Sequence, residues 1–359
     1  MSVFRTLYRG ENHFDFVGNR RRWLMISGVL LAVSILSLGL RGFNLGVDFQ
    51  GGTLVEMENP NGASVGEVRS AISDLGLAGA RVQTTAGGGT VRVQTEELSL
   101  DAEQELVEVL ATVTGEDPDQ ASRLTVGPTF GQDIRDRALF ALFWFLVVVA
   151  VFISFRLEWK MAVAALIALL HDLLITAGIY SLSGFEVTPA TVIAILTILG
   201  YSLYDTVVVF DKVVENVTER GDKHTASAIV NMSMNQVFMR SVNTSLTSLL
   251  PIGSLLFVGS FLLGAATLRE FALALFIGVG LGTYSSIFVA APILAVWKER
   301  EDTWQRVRTR LERKGVDDDA FEVKGIQITE DEDEDVLPAA VPPTSGATPR
   351  PPRKRKRRR

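Results

Sequence analysis

Apolar and polar positions in this chain separate into long blocks rather than short alternations. Apolar runs fall at residues 23–40, 138–155, 161–182, 189–210, 242–263 and 271–297. A spanning helix needs roughly 20 apolar residues, and the shortest run, about 18, is near the minimum. The pattern predicts a polytopic α-helical membrane protein with six transmembrane helices. The fourth run is the most informative, because Asp205 stands well inside it and Asp211 at its edge.

Between the first two spans, residues 41–137 are polar and patterned as a soluble insert. Residues 53–57 alternate like a strand, and 65–75 have helical spacing after Ser64, a residue type suited to capping. Residues 80–85 and 90–95 read as strands joined by the Gly87-Gly88-Gly89 turn. Residues 100–113 form an acidic amphipathic helix after Ser99, and 123–126 a last strand. The order β-α-β-β-α-β predicts a small α+β, ferredoxin-like domain. It contains no catalytic constellation.

Charge sets the expected orientation. Arg5, Arg9 and Arg20–Arg22 precede the first span, Arg156 and Lys160 follow the second, and Lys212, Arg220, Lys223 and Arg240 lie between the fourth and fifth. The positive-inside rule then puts both termini in the cytoplasm and the insert outside it, with Arg269 the one exception. The polar N-terminal 22 residues and the length of the first span read as an anchor, not a cleaved signal. Residues 298–359 form a cytoplasmic tail. It holds a short basic helix at 304–314, an acidic run at 330–335, a Pro-rich stretch at 338–352 and RKRKRRR at 353–359. Beyond the helix this composition is expected to stay disordered, and its final basic run suits anionic lipid or the RNA of a ribosome.

Composition then removes function classes. The chain has no cysteine and three histidines, which excludes thiol chemistry and disulfides and argues against a multi-histidine metal site. The net charge of -6 sums an acidic insert and a basic terminus. No nucleotide-binding glycine motif is present, so ATP would be hydrolysed by a partner. No enzyme activity and no cofactor are expected.

The candidate chemistry lies within the spans. A carboxylate inside a membrane costs roughly 2.5–3.5 kcal/mol on insertion scales and normally faces protein or water. Asp205 is expected about 6–8 Å below the cytoplasmic surface, with Arg240 at matching depth on the next span. The two can form a proton relay, a static ion pair, or an Arg240 that snorkels away. His171 and Asp172 sit about 15 Å into the third span. They read equally as a proton-exchanging pair and as a hydrogen-bonded knot, with the two side chains about 100° apart. Asp211 and Lys212 are ordinary helix-end charges. Gly178, Gly200, Ser202, Gly278, Gly280 and Gly282 allow close helix packing. Taken alone, Asp48-Phe49-Gln50-Gly51-Gly52 is a turn between membrane and strand.

Four motifs in order carry a resemblance: GVDFQGGT at 46–53, LLHDLLIT at 169–176, GYSLYDTVVVFDKVVEN at 200–216 and MRSVNTSLTSLLP at 239–251. They resemble the SecD–SecF family of bacterial protein export, within the resistance–nodulation–division superfamily, over about residues 14–297. The resemblance implies that Asp205 is the protonatable acid of a transmembrane pathway and Arg240 its basic partner, with Asp48, Phe49, Gly51 and Gly52 as signature and hinge. It implies the bacterial cytoplasmic membrane and a proton gradient as energy source. It also implies SecD as partner, with the translocon (SecY, SecE, SecG), the SecA ATPase indirectly, YajC, and the translocating preprotein. The family usually has Asn before the key Asp, where this chain has Tyr204. Two other classes stay open: a proton-driven exporter of lipids or small molecules, which needs a large apolar pocket outside the membrane, and a non-conducting assembly scaffold.

Overall fold

The computed structural model describes residues 14–84, 88–259 and 266–314. Residues 1–13, Gly87 of the expected hairpin turn, residues 260–263 of the expected fifth span, and the acidic, Pro-rich and basic stretches of the tail lie outside the described residues.

The chain enters the bundle by helix α1 (Arg20–Arg41). The two-residue strand β1 (Asn44–Leu45) and the short helix α2 (Val47–Gln50) lead into the insert. There strand β2 (Gly52–Glu58), helix α3 (Val65–Ser73), strands β3 (Arg81–Thr84) and β4 (Thr90–Thr95), helix α4 (Leu100–Thr114) and strand β5 (Ser122–Val126) follow in turn. The sheet order is β3-β4-β2-β5, antiparallel throughout. Each helix therefore joins two strands separated by a third. Ser64 caps α3 in a reciprocal box with Glu67, and Ser99 caps α4. Val55, Val91, Val93, Val68, Ile72 and Leu106 bury the helices on one sheet face; this core is separate from that of the spans.

The second span, α5 (Pro128–Arg156), starts ten residues before the expected 138 and so shortens the insert. Pro128 is the reason: at the first helical position its missing N–H costs nothing and its φ is preset. Helix α6 (Trp159–Ser183) follows, then β6 (Glu186–Val187), which pairs in parallel with β1. The short connection between the third and fourth spans is thus partly a strand.

Helix α7 (Pro189–Arg220) and helix α8 (Ala226–Ser254) run well past the expected span ends. The charged loop expected between them reduces to Gly221–Thr225, and Lys212, Arg220 and Arg240 are helical residues. Charge counting locates a membrane surface but says nothing about where a helix stops. The extension is held by Asn216, which donates to Ser233 Oγ and Gln236 Oε1 at 2.8 Å each, and by the Thr225 cap. A wide turn, Leu255–Gly259, extends α8. The sixth span is α9 (Ala266–Ser285), a second wide turn (Ser286–Ala290) and α10 (Ala291–Glu299). Pro292, which has no N–H to give back to the preceding turn, accounts for the widening. Arg269 and Glu270, expected in a loop, lie in the first turns of α9. Helix α11 (Asp302–Arg313) folds back and buries Trp304, Val307 and Leu311, with Trp304 beside Ala226 and Ile229.

Among the described residues, six helices are long and apolar enough to cross a membrane; the third, fourth and sixth are the most buried. The first, second and fifth leave large apolar side chains outward, such as Met25, Val29, Phe143, Phe152, Leu246 and Leu250. A surface of this kind suits lipid or another chain.

Candidate functional site

Asp205 lies on α7 about 22 Å from the end of that helix at Arg220, at 1.5 Å per residue. Because α7 is longer than expected, the acid is near its middle rather than four residues from its end. It is 5% exposed. Ser241 Oγ on α8 donates to its Oδ1 at 2.7 Å, and its Oδ2 is buried with no protein partner. Arg240 takes a different position from the one expected. Its exposed guanidinium donates to the hydroxyl of Tyr204, at 3.4 Å, and no ion pair joins it to Asp205. Residues 204 and 205 face different sides of α7, so Tyr204 draws the cation outward while the carboxylate points to the core.

His171 and Asp172 meet, despite adjacent positions on one helix. The His171 Nδ1 lies 3.0 Å from Asp172 Oδ1, both side chains buried. Asp172 Oδ2 accepts from Ser202 Oγ of α7 at 2.7 Å and from Ser285 Oγ of α9 at 2.6 Å. One carboxylate thus ties the three most buried spans together. His171 Nε2 has no protein partner, and its ring stacks on Tyr284 at 6.3 Å.

Hydroxyl pairs surround the two acids. Thr206 and Ser286 are 2.8 Å apart, Ser286 donates to the Ser202 carbonyl, and Ser245 meets Thr283 at 2.6 Å. Ser202 and Asp205 are one turn apart on α7, so about 4.5 Å of axial rise separates the neighbourhoods of the two acids. The hydroxyls were not singled out from sequence, apart from Ser202 as a packing residue. Their i, i+4 spacing (Ser202/Thr206, Ser241/Ser245) within apolar helices is the signal that marks them. Among the described residues no cluster of three potential metal ligands occurs.

The 48–52 signature forms a packed corner. Gly51 has φ +78°, and a Cβ there would stand 2.6 Å from Pro128 Cα; Gly52 has φ +122°, and its Cβ would meet the Thr95 carbonyl oxygen. Gly131 on α5 in turn approaches the Gly51 backbone. The glycines let the ends of α2 and β2 lie against the start of α5, so the expected hinge is a close backbone contact. Phe49 is buried beside it, and burial raises the Asp48 carboxyl above its ordinary range, against backbone hydrogen bonding and the attraction of Arg92.

A second polar cluster, unforeseen, joins the insert to the spans. Arg92 on β4 sits opposite Glu56 on β2, with Nε 3.3 Å from Glu56 Oε2, near enough for an ion pair but off-line for a hydrogen bond. Its Nη1 donates to Glu186 of β6 and to Glu270 of α9, each at 3.2 Å. Burial would lower the Arg92 pKa, but Glu186, Glu56 and Glu270 outweigh it and hold it above the usual value. Burial raises the Glu186 carboxyl; Arg92 opposes this, while Glu270 and Asp48 add to it.

Six spans, an α/β insert after the first and a carboxylate network among the third, fourth and sixth define a polytopic membrane protein organised around buried acids. Comparison with known proteins names the family. Residues 106–300 match the family model "Protein export membrane protein SecD/SecF, C-terminal", and residues 36–58 match "SecD/SecF GG Motif". The chain is 38% identical to the protein translocase subunit SecF of Streptomyces coelicolor, over 94% of this chain and 92% of that one. It is 44% identical to SecF of Mycobacterium tuberculosis, over 84% of this chain and 71% of the other. In structure it is similar to SecDF of Thermus thermophilus, described as a translocon-associated membrane protein, with TM-score 0.74 and 35% identity. That match spans 84% of this chain and 40% of the longer SecDF. The chain belongs to the SecF branch of the SecD/SecF family of protein-export membrane proteins.

Proposed function

We propose that this chain is the SecF half of a proton-driven export device, in which Asp205 takes up and releases the proton and SecD supplies the other half. The observation that carries the reading is the carboxylate itself. One of its oxygens is held by Ser241, the other is buried and free to carry a proton, and the carboxylate of Asp172 lies about one helix turn along the bundle. A group that only fixed helix register would be expected to pair with the nearby Arg240, whose guanidinium turns instead to Tyr204. Protonation weakens the bond from Ser241 and removes a buried charge, and the spans around it repack. One charge moving through 100 mV supplies about 2.3 kcal/mol, and a pH gradient adds to it.

In this reading the chain lies in the bacterial cytoplasmic membrane with both termini inside. The insert, ferredoxin-like in its strand order, projects outward and takes part in late steps of preprotein translocation. The translocon (SecY, SecE, SecG), SecA and YajC are the expected associates, and the chain itself carries out no hydrolysis.

An exporter of amphiphiles would rest on a cavity of about 540 Å³ beside Arg92, Phe185, Glu186, Phe257 and Phe276. The Arg92–carboxylate cluster already occupies its polar wall, which leaves protein export as the better reading.

The test uses inverted membrane vesicles carrying Asp205→Asn, with ATP saturating and the proton gradient imposed or collapsed. Export of a secretory precursor should lose its response to the gradient while assembly with SecD persists. If Asp205→Asn combined with Arg240→Gln keeps the full response, the chain is a scaffold.

A further inference from the structure

Spans one and two are joined to the insert by the chain itself. Spans four and six are not. Among the described residues, the ion pairs that link the sheet to them converge on Arg92, whose single Nη1 serves both Glu186 and Glu270 at 3.2 Å. Glu186 stands just before Pro189, the first residue of α7, and Glu270 in the first turns of α9. All the side chains involved are largely shielded, 10–20% exposed, where an ion pair is less screened than at a surface.

The two carboxylates thus stand near the heads of the spans that carry Asp205 and Ser202 in one case, and Ser285 and Ser286 in the other. Glu56, directly across the sheet, fixes the other side of the guanidinium to the insert. Arg92 is therefore held by the domain on one side and by both spans on the other. If α7 and α9 shift relative to each other, one nitrogen cannot keep both bonds at their present length. The insert must then follow one helix or the other.

We propose that Arg92 is the positioning residue through which displacement of the fourth and sixth spans is passed to the insert domain. The proposal rests on the reading above that those spans move during export.

The chain has no native cysteine, so spin labels can be placed cleanly at Leu124→Cys on the exposed side of β5 and Ile193→Cys near the start of α7. Distances between them are measured by pulsed electron resonance, with the full chain reconstituted with SecD in liposomes. Arg92→Gln should broaden the distribution, and Arg92→Glu should do the same. Arg92→Lys, which keeps a cation among Glu56, Glu186 and Glu270, should stay closer to the wild-type width, a rescue by charge that a merely misfolded insert would not show. In vesicles, Arg92→Gln should lose most of the gradient response of export.

A distribution unchanged in Arg92→Gln overturns the proposal, and so does a broadened one with export still fully gradient-responsive. If Asp205→Asn also leaves the gradient response intact, the proton reading fails on its own. The label distances in Arg92→Gln and Arg92→Lys then decide the tie separately.

Discussion

Gly51→Ala is the sharpest test of why this family signature contains paired glycines. At φ +78° and ψ 171°, Gly51 occupies a backbone region essentially reserved for glycine. Forcing Ala into it costs about 1–3 kcal/mol. The new methyl would also lie 2.6 Å from Pro128 Cα and 2.8 Å from Pro128 N. Both are backbone atoms at the first turn of α5, and no rotamer change can move them. Restoring normal contact requires shifting α5 by about 1 Å, and such overpacking typically costs about 1–3 kcal/mol more. Reduced freedom of the unfolded chain returns at most about 1 kcal/mol. A net loss of about 1–5 kcal/mol is therefore expected. Gly62 supplies the control. It has φ +67° but nothing within 4 Å of a would-be Cβ, so Gly62→Ala carries the backbone penalty without the collision. Thermal unfolding of both variants in the same detergent, with the rate of proteolysis at the junction as a second readout, separates the two costs. If Gly51→Ala is no more destabilised than Gly62→Ala, the contact with Pro128 is not what demands glycine.

Two further outcomes follow from the polar clusters. The folded-state pKa of Glu186 is raised above its unfolded value of about 4.3. The folded protein therefore binds more protons, and the Glu186 contribution is fully present below about pH 4.3 and lost as pH rises through the raised value. Unfolding midpoints of wild type should accordingly rise between pH 7.5 and 5 more than those of Glu186→Gln, and parallel slopes would refute the assignment. Asp172→Ala should lose about 1–3 kcal/mol, since interhelical hydrogen bonds from Ser202 and Ser285 contribute about 0.6 to 1.7 kcal/mol each in membrane bundles. Unchanged stability in detergent unfolding would mean that the two hydroxyls find other partners.

What could be read from the chain alone depended on whether a residue's neighbours in sequence were also the ones that constrain it. Asp205 stood out because a carboxylate among Leu, Ile and Val is costly wherever the helix goes, so its importance did not require knowing its partners. The insert was legible for the same reason: caps such as Ser64 and Ser99 and the alternation of 90–95 act over a few residues, and those elements formed where their local signals lay. The helix ends around 210–241 were misjudged because Lys212 and Arg220 report the polarity of the surroundings, and a helix can continue through polar surroundings. The cap at Thr225 was the better local guide. Arg92 could not have been found this way. Its strand shows only that it points away from Val91 and Val93, and its partners lie 94 and 178 residues further along the chain. The same separation explains why matching depth alone leaves open whether Arg240 pairs with Asp205 or turns away from it. Depth along a helix can be counted from sequence, but the side of the helix a residue faces depends on where its neighbours pack. At residues 204 and 205 that rotation sends the phenol toward the guanidinium and the acid toward Ser241.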